Sequence, residues 1–282
     1  MRVQLKSSVL VLALMFAMPT ASMAQTPSTD TGGVKVGNPS FLRKFVSAEK
    51  LESAAGEQYT QLTRQAFQKG ALVQEGNPQL ARLRAIAKDL LPHSYKFNDR
   101  AKDWRWDVNL INSPQINAFC MPGGKIAFFT GILDKLKLTD DEVAMVMGHE
   151  IAHALREHAR TRAVKGTLSN VGGQILGSLI LGGQFGQQVG AQAGGLLTLK
   201  FSRGDETDAD LVGMEVAARA GYDPRAGVTL WEKMSGASKG APPQWMSTHP
   251  SGTTRITTIK SHLAEVMPLY EKAVAARKAK AN

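Results

Sequence analysis

The sequence predicts an α+β fold that is mainly α-helical, with a small sheet ahead of a helical body. Long segments with helical apolar spacing lie between clear start and stop signals, two short segments of strand character come before most of them, and one pair of well-capped helices dominates the second half. At 282 residues and 43% hydrophobic content the chain can bury a sizeable core, so disorder throughout is excluded.

Residues 1–24 stand apart from that fold. Arg2 and Lys6 precede an uninterrupted apolar run from Val9 to Met18, and Ser22-Met23-Ala24 comes just before Gln25. This is the pattern of a secretory signal peptide cleaved near Ala24, and the run is shorter than the roughly 20 residues that span a bilayer. The expected location is therefore the periplasm. Residues 25–39, QTPSTDTGGVKVGNP, carry turn formers without apolar periodicity and are expected to be a flexible linker.

Ala48 to Lys69 and Pro78 to Leu91 then read as helices, the second opened by Asn77-Pro78 and stopped by Pro92. WRWDVNLIN alternates apolar and polar residues, and KIAFFTGIL is a short apolar run after Pro122-Gly123-Gly124, so both are predicted strands. Lys125 to Thr130 is expected to be an exposed strand edge that holds extended backbone, with Phe128 and Phe129 on opposite faces. Thr139-Asp140-Asp141-Glu142 has the form of a capping box and opens a helix from about Asp140 to about Ala163. A further helix lies in SRGDETDADLVGMEVAARAGYDP, with Ser202 as cap, an acidic first turn and a stop at Gly221 before Pro224.

Between these two helices, Gly166 to Leu199 contains no charged residue and ten glycines. Gly182, Gly186, Gly190 and Gly194 recur every four, which on a helix makes a bare stripe for close packing. A tightly packed helical hairpin and a lid or membrane-contacting element remain the two readings. Residues 266–282 form a basic C-terminal tail, expected to be a solvated helix.

The net charge is +10, and loss of Arg2 and Lys6 with the leader leaves +8. Such a surface attracts anionic membranes, but no aromatic residues interleave the basic ones as a stacking surface for bases, so nucleic acid is excluded as a partner. Cys120 is the single cysteine, which rules out an intramolecular disulfide, and it reads as a small buried apolar side chain.

The chemistry is concentrated in MGHEIAHALREHAR, residues 147–160. On a helix His149 and His153 stand one turn apart and aim at a single point, a donor pair that suits zinc. Glu150, rotated about 100° from His149, is placed to serve as general base without being a ligand. Gly148 and Ala152 mark the face as packed. His158 lies nine positions from His149, on the opposite side of an unbroken helix, where a solvated histidine is expected. A catalytic zinc needs a third protein ligand. Glu206 and Asp210, four apart on the later helix, are the leading candidates, the first to bind the ion and the second to orient a ligand histidine. For an oxyanion, STHPSGTTRI offers His249 and Arg255.

Taken in order, NAFCMPGGKIAFFTGIL, HEIAH, SRGDETDAD and STHPSGTTRI closely resemble the HtpX-type and CAAX-prenyl-protease-type zinc metallopeptidases of peptidase family M48, and most of all its exported bacterial members. The resemblance spans about residues 40–265 and implies a gluzincin-like zinc metallopeptidase domain there, with the sheet's edge strand beside the active-site helix. It implies His149, His153 and Glu206 as ligands of one Zn2+, Glu150 as catalytic base, Asp210 as the partner of a ligand histidine, and a segment around His249 and Arg255 near the cleft. His249 is expected either to stabilise the transition state or to reach the metal in a resting state. Gly124, Lys125, Ile126, Ala127 and Arg255 are the expected substrate contacts. The implied substrates are unfolded or misfolded envelope proteins, and the implied partners include the outer membrane or its assembly machinery. The alternative reading is a chaperone or assembly factor for outer-membrane proteins, with proteolysis secondary.

Overall fold

The computed structural model describes residues 32–168, 196, 199–237, 243–249 and 253–281. The predicted signal peptide, its cleavage region near Ala24 and most of the glycine-rich stretch lie outside the described residues.

Helix α1 (Ala48–Gln68) begins at Ser47, whose side chain accepts from the Lys50 amide. Helix α2 (Pro78–Ser94) begins at Asn77, which accepts from the amides of Gln79 and Leu80. Pro92 does not stop α2 as expected, and the helix continues through it to Ser94. So close to a helix end, the missing proline amide removes a single hydrogen bond rather than breaking a long ladder.

Three strands follow: β1 (Asp107–Ile111), β2 (Ala118–Met121) and β3 (Lys125–Phe129). Their order is β1-β3-β2, with β3 parallel to β1 and antiparallel to β2. This corrects the expectation for residues 124–127. Lys125 pairs with Asp107 on one side and Met121 on the other, and Ile126 and Ala127 are fully buried, so β3 is the centre of the sheet and has no free edge. Gly124 shapes the β2–β3 turn at φ +78°, its amide bonded to the Met121 carbonyl. The edge strand beside the helical layer is β2, four residues without a clear alternating pattern.

Helices α3 (Thr130–Leu136) and α4 (Asp140–Leu155) come next, and Thr139 and Glu142 form the predicted capping box of α4. The helix does not run on to Ala163. It ends at Leu155, turns through Arg156 and Glu157, and restarts as α5 (His158–Leu168). Glu157 sits at φ +55°, a backbone that breaks the helix although neither glycine nor proline marks the place.

Helix α6 (Arg203–Arg219) is capped reciprocally by Ser202 and Asp205 and ends before Gly221 at φ +81°. It packs against α4 through two facing glycines. A Cβ on Gly148 would lie 2.8 Å from the Gly213 carbonyl oxygen, and one on Gly213 would lie 2.6 Å from the His149 amide nitrogen. The other face of α6 packs against the last helix. After α7 (Ala226–Ala237) and the short α8 (Gln244–Thr248), α9 runs from Thr253 to Ala281.

No boundary appears at residue 265, because Val266 and Leu269 are buried in the core. The basic end is tied down as well: Arg277 pairs with Asp89 at 2.7 Å and lies over the Tyr222 ring. The predicted linker is likewise anchored from residue 32 onward. The Val34 amide donates to Glu215 at 2.8 Å, and Val34 and Val36 pack on the core. Among the described residues no helix is long and apolar enough to cross a membrane.

Candidate metal centre

The glycine contact sets α4 and α6 close enough for short side chains to meet. His149 and His153 project from one face of α4, and Glu206 projects from the first turn of α6. His249 follows α8, its amide bonded to the Trp245 carbonyl. All four are buried. His149 Nε2 lies 3.1 Å from His153 Nε2, 3.3 Å from His249 Nδ1 and 3.5 Å from a Glu206 oxygen. The other Glu206 oxygen lies 3.5 Å from His153 Nε2 and 3.1 Å from His249 Nδ1.

Nitrogen and oxygen donors held tetrahedrally at about 2.0–2.1 Å from zinc stand roughly 3.3 Å from one another. The separations here match that figure, and a set of imidazoles and one carboxylate is the donor chemistry zinc takes. The residues fit the ion.

Electrostatics prepares the donors. Burial, helped by the neighbouring His149 and His249, pushes His153 well below the usual histidine range, which keeps it neutral with a lone pair to offer. Burial opposes ionisation of Asp210, yet the Arg255 guanidinium and the His149 hydrogen bond outweigh it and hold the carboxyl at about 2. Glu206 is also lowered against burial, by His249, His149 and Arg255. His249 moves the other way: burial disfavours its charge, but Glu150 and Glu206 raise it.

Of the expected positions, Asp210 lies 3.0 Å from His149 Nδ1, where it can fix that ring. Glu150 is buried beside the donors, accepting from the Trp245 indole at 2.5 Å and standing 3.5 Å from His249 Nε2. Arg255 is not a substrate contact. It is buried, donates to Glu206 at 2.6 Å and to Asp210 at 2.6 Å, and its guanidinium centre lies 3.7 Å over the Trp231 ring. Its charge is consumed by neutralising two carboxylates under the donor set. Lys125 bonds the Arg105 carbonyl instead of facing the centre.

Several residues around the site are not apparent from the sequence. Trp245, fully buried and stacked on Trp231 at 5.2 Å, links Glu150 to Arg255 through two indoles. Phe201 covers the donors, with ring centroids 4.0 Å from His153 and 5.3 Å from His249. His158, expected on the solvated side, is buried with Nδ1 2.9 Å from His153 Nδ1. The break at Glu157 reverses its direction, and no residue pattern at 156–157 announces that break. A small cavity of about 50 Å³ lies beside the donors, between β2 and Phe201. Cys120 is half-buried in its wall, and burial together with the Glu150 charge pushes its thiol up.

Comparison with known proteins bears on the same residues. Residues 78–263 match the model of peptidase family M48. The chain is 37% identical over 174 residues to mitochondrial metalloendopeptidase OMA1 of Arabidopsis thaliana, covering 61% of this chain and 35% of that protein. It is 39% identical over 166 residues to the protein of the same name in Schizosaccharomyces pombe, covering 58% and 48%. To the beta-barrel assembly-enhancing protease of Yersinia pestis it is 31% identical over 177 residues, covering 56% and 35%. The chain thus spans between a third and a half of the length of these relatives. With well over half of the chain matched and all four buried donors inside the match, the chain belongs to peptidase family M48, the zinc metallopeptidases.

Proposed function

We propose that this chain is a zinc endopeptidase of the bacterial periplasm that cuts the backbone of unfolded or misassembled envelope proteins. The observation that carries the chemistry is Glu150, buried 3.5 Å from His249 beside the donor cluster and in the wall of a small cavity. His149, His153 and Glu206 would hold the zinc. Bound there, zinc supplies Lewis acidity toward a peptide carbonyl and lowers the pKa of water to about 7. Glu150 takes the proton of the attacking water and returns it to the leaving amine, and the Trp245 indole keeps that carboxylate in place. His249 sits among the donors, which supports the reading that it reaches the metal in the resting enzyme.

The preference for unfolded chains follows from β2. One side of this strand is bonded to β3, and its residues line the cavity together with Glu150 and His153. An extended segment adding to β2 would bring its carbonyls to the donors, and only unfolded chain offers a free strand. The envelope address is supported by the N-terminal charge and apolar pattern and by the likeness to the beta-barrel assembly-enhancing protease.

The test is hydrolysis of a permanently unfolded protein and its folded counterpart by the mature chain. Wild type should cut the unfolded form, lose activity to a chelator and regain it with zinc. Glu150→Gln should lose about 10²–10⁴-fold in rate while retaining zinc. If Glu150→Gln lost hydrolysis yet fully restored envelope assembly in cells lacking the protein, the chaperone reading would replace this one.

A further inference from the structure

The two helix-borne histidines have different supports. His149 leans on a carboxylate, Asp210, whereas His153 leans on another imidazole. His153 Nδ1 is 2.9 Å from His158 Nδ1, and His158 Nε2 is 3.1 Å from an Asp208 oxygen. Arg156 holds that same oxygen through Nε at 2.5 Å. His158 and Arg156 are each about 6% exposed.

With His158 neutral, hydrogen-bond direction along this chain is fixed. A carboxylate bonded to a cation has no hydrogen to give, so Asp208 accepts and His158 Nε2 donates. A neutral His158 then has a bare Nδ1, which accepts from His153 Nδ1. His153 is left with its lone pair on Nε2, the atom that faces the donor cluster.

The backbone is bent to make this contact. Residues five apart on an unbroken helix are rotated by about 140° and do not meet. The Arg156–Glu157 turn brings them together, and it holds Glu157 in left-handed backbone, which non-glycine residues rarely adopt. Glu157 is retained there by Arg43 at 2.7 Å and by Arg160. Backbone strain concentrates where a surrounding structure needs a particular geometry, and here that geometry places His158 under His153.

We propose that His158, held by Asp208, is a positioning residue of the zinc site. It accepts the Nδ1 hydrogen of His153 and so fixes the tautomer whose Nε2 lone pair is available to the metal. The proposal rests on the zinc peptidase reading.

The experiment measures the zinc dissociation constant of the mature chain by competition with a chromogenic chelator. Three forms are compared: wild type, His158→Leu, which fills the space without an acceptor, and His158→Asn, which keeps an acceptor near the Nδ1 position. Partners of this kind are worth about 10–100-fold in metal affinity. His158→Leu should weaken zinc by that factor, and His158→Asn should stay within about threefold of wild type. Equal affinity in all three forms overturns the proposal, and so does equal loss in both variants, which would assign the effect to packing. Should His158→Leu fail to fold, nitrogen-15 spectra of zinc-loaded wild type decide the matter. A hydrogen on His158 Nε2 with a bare Nδ1 is expected, and a hydrogen on His158 Nδ1 overturns the proposal. Failure of wild type itself to bind zinc would instead refute the underlying peptidase reading.

Discussion

His149 and His153 stand one turn apart on the same helix, yet the structure supports them by opposite means. Under His149 lies a dense ionic block, in which Arg255 bridges Asp210 and Glu206 while Trp231 covers its guanidinium. All of its members sit on regular helices. Under His153 lies a thinner chain of His158, Asp208 and Arg156, built across a helix break and partly open to solvent at Asp208. The difference teaches that a ligand's orientation can be fixed either by burying charge or by bending backbone, and that the two routes carry different risks. Removing a member of the ionic block leaves uncompensated charge, while removing His158 from the other chain releases a ring.

The largest expected effect breaks the ionic side. Arg255→Ala would leave Glu206 and Asp210 buried without their cation, a loss of about 3–5 kcal/mol in unfolding free energy, measurable from the denaturant midpoint. Next comes metal affinity. Asp210→Asn should weaken zinc about 10–100-fold in chelator competition, comparable to His158→Leu. The double variant sharpens the comparison, because independent supports give free-energy changes that add within about 0.5 kcal/mol.

The ionic side should also show itself in pH dependence. Asp210 in the fold is held at about 2, below its unfolded value of about 3.9, so its stabilising contribution is complete above that higher value and is lost as pH falls toward 2. Urea midpoints of wild type and Asp210→Asn should therefore converge between pH 4 and pH 2. A smaller effect separates base from ligands. Trp245→Phe keeps the stacking on Trp231 but removes the donor to Glu150, so kcat/KM should fall about tenfold with zinc affinity unchanged. The smallest tests the sheet: Lys125→Ala should alter kcat/KM by less than about twofold, since β3 presents no edge to substrate.

How much of this is legible in the sequence depends on how local the cause is. The caps at Thr139 and Ser202 announce α4 and α6, and the spacing of His149, Glu150 and His153 places them on one turn, because those signals act within four residues. Glu206 and Asp210 are recoverable by the same logic once a third ligand is sought. The order of the strands is not, because the pairing of β3 with β1 and β2 joins segments whose alternation says nothing about which neighbours they take. Arg255 is misplaced for a related reason: an arginine near a cleft motif looks ready for substrate until the carboxylates beneath it are seen. The break at Glu157 has no mark at all. It is imposed by Arg43, Arg160 and the packing of α5, and with it goes the true position of His158.

The contact between Gly148 and Gly213 has one more implication. Because no side chain lies between the two helices there, no rotamer change can widen or narrow the gap, and the spacing of the two backbones that carry His149 and Glu206 is set by main chain alone. Any tuning of this enzyme between idle and working forms must therefore act on parts that are free of that rigid crossing, such as the turn bearing His249, leaving the grip of the helices constant.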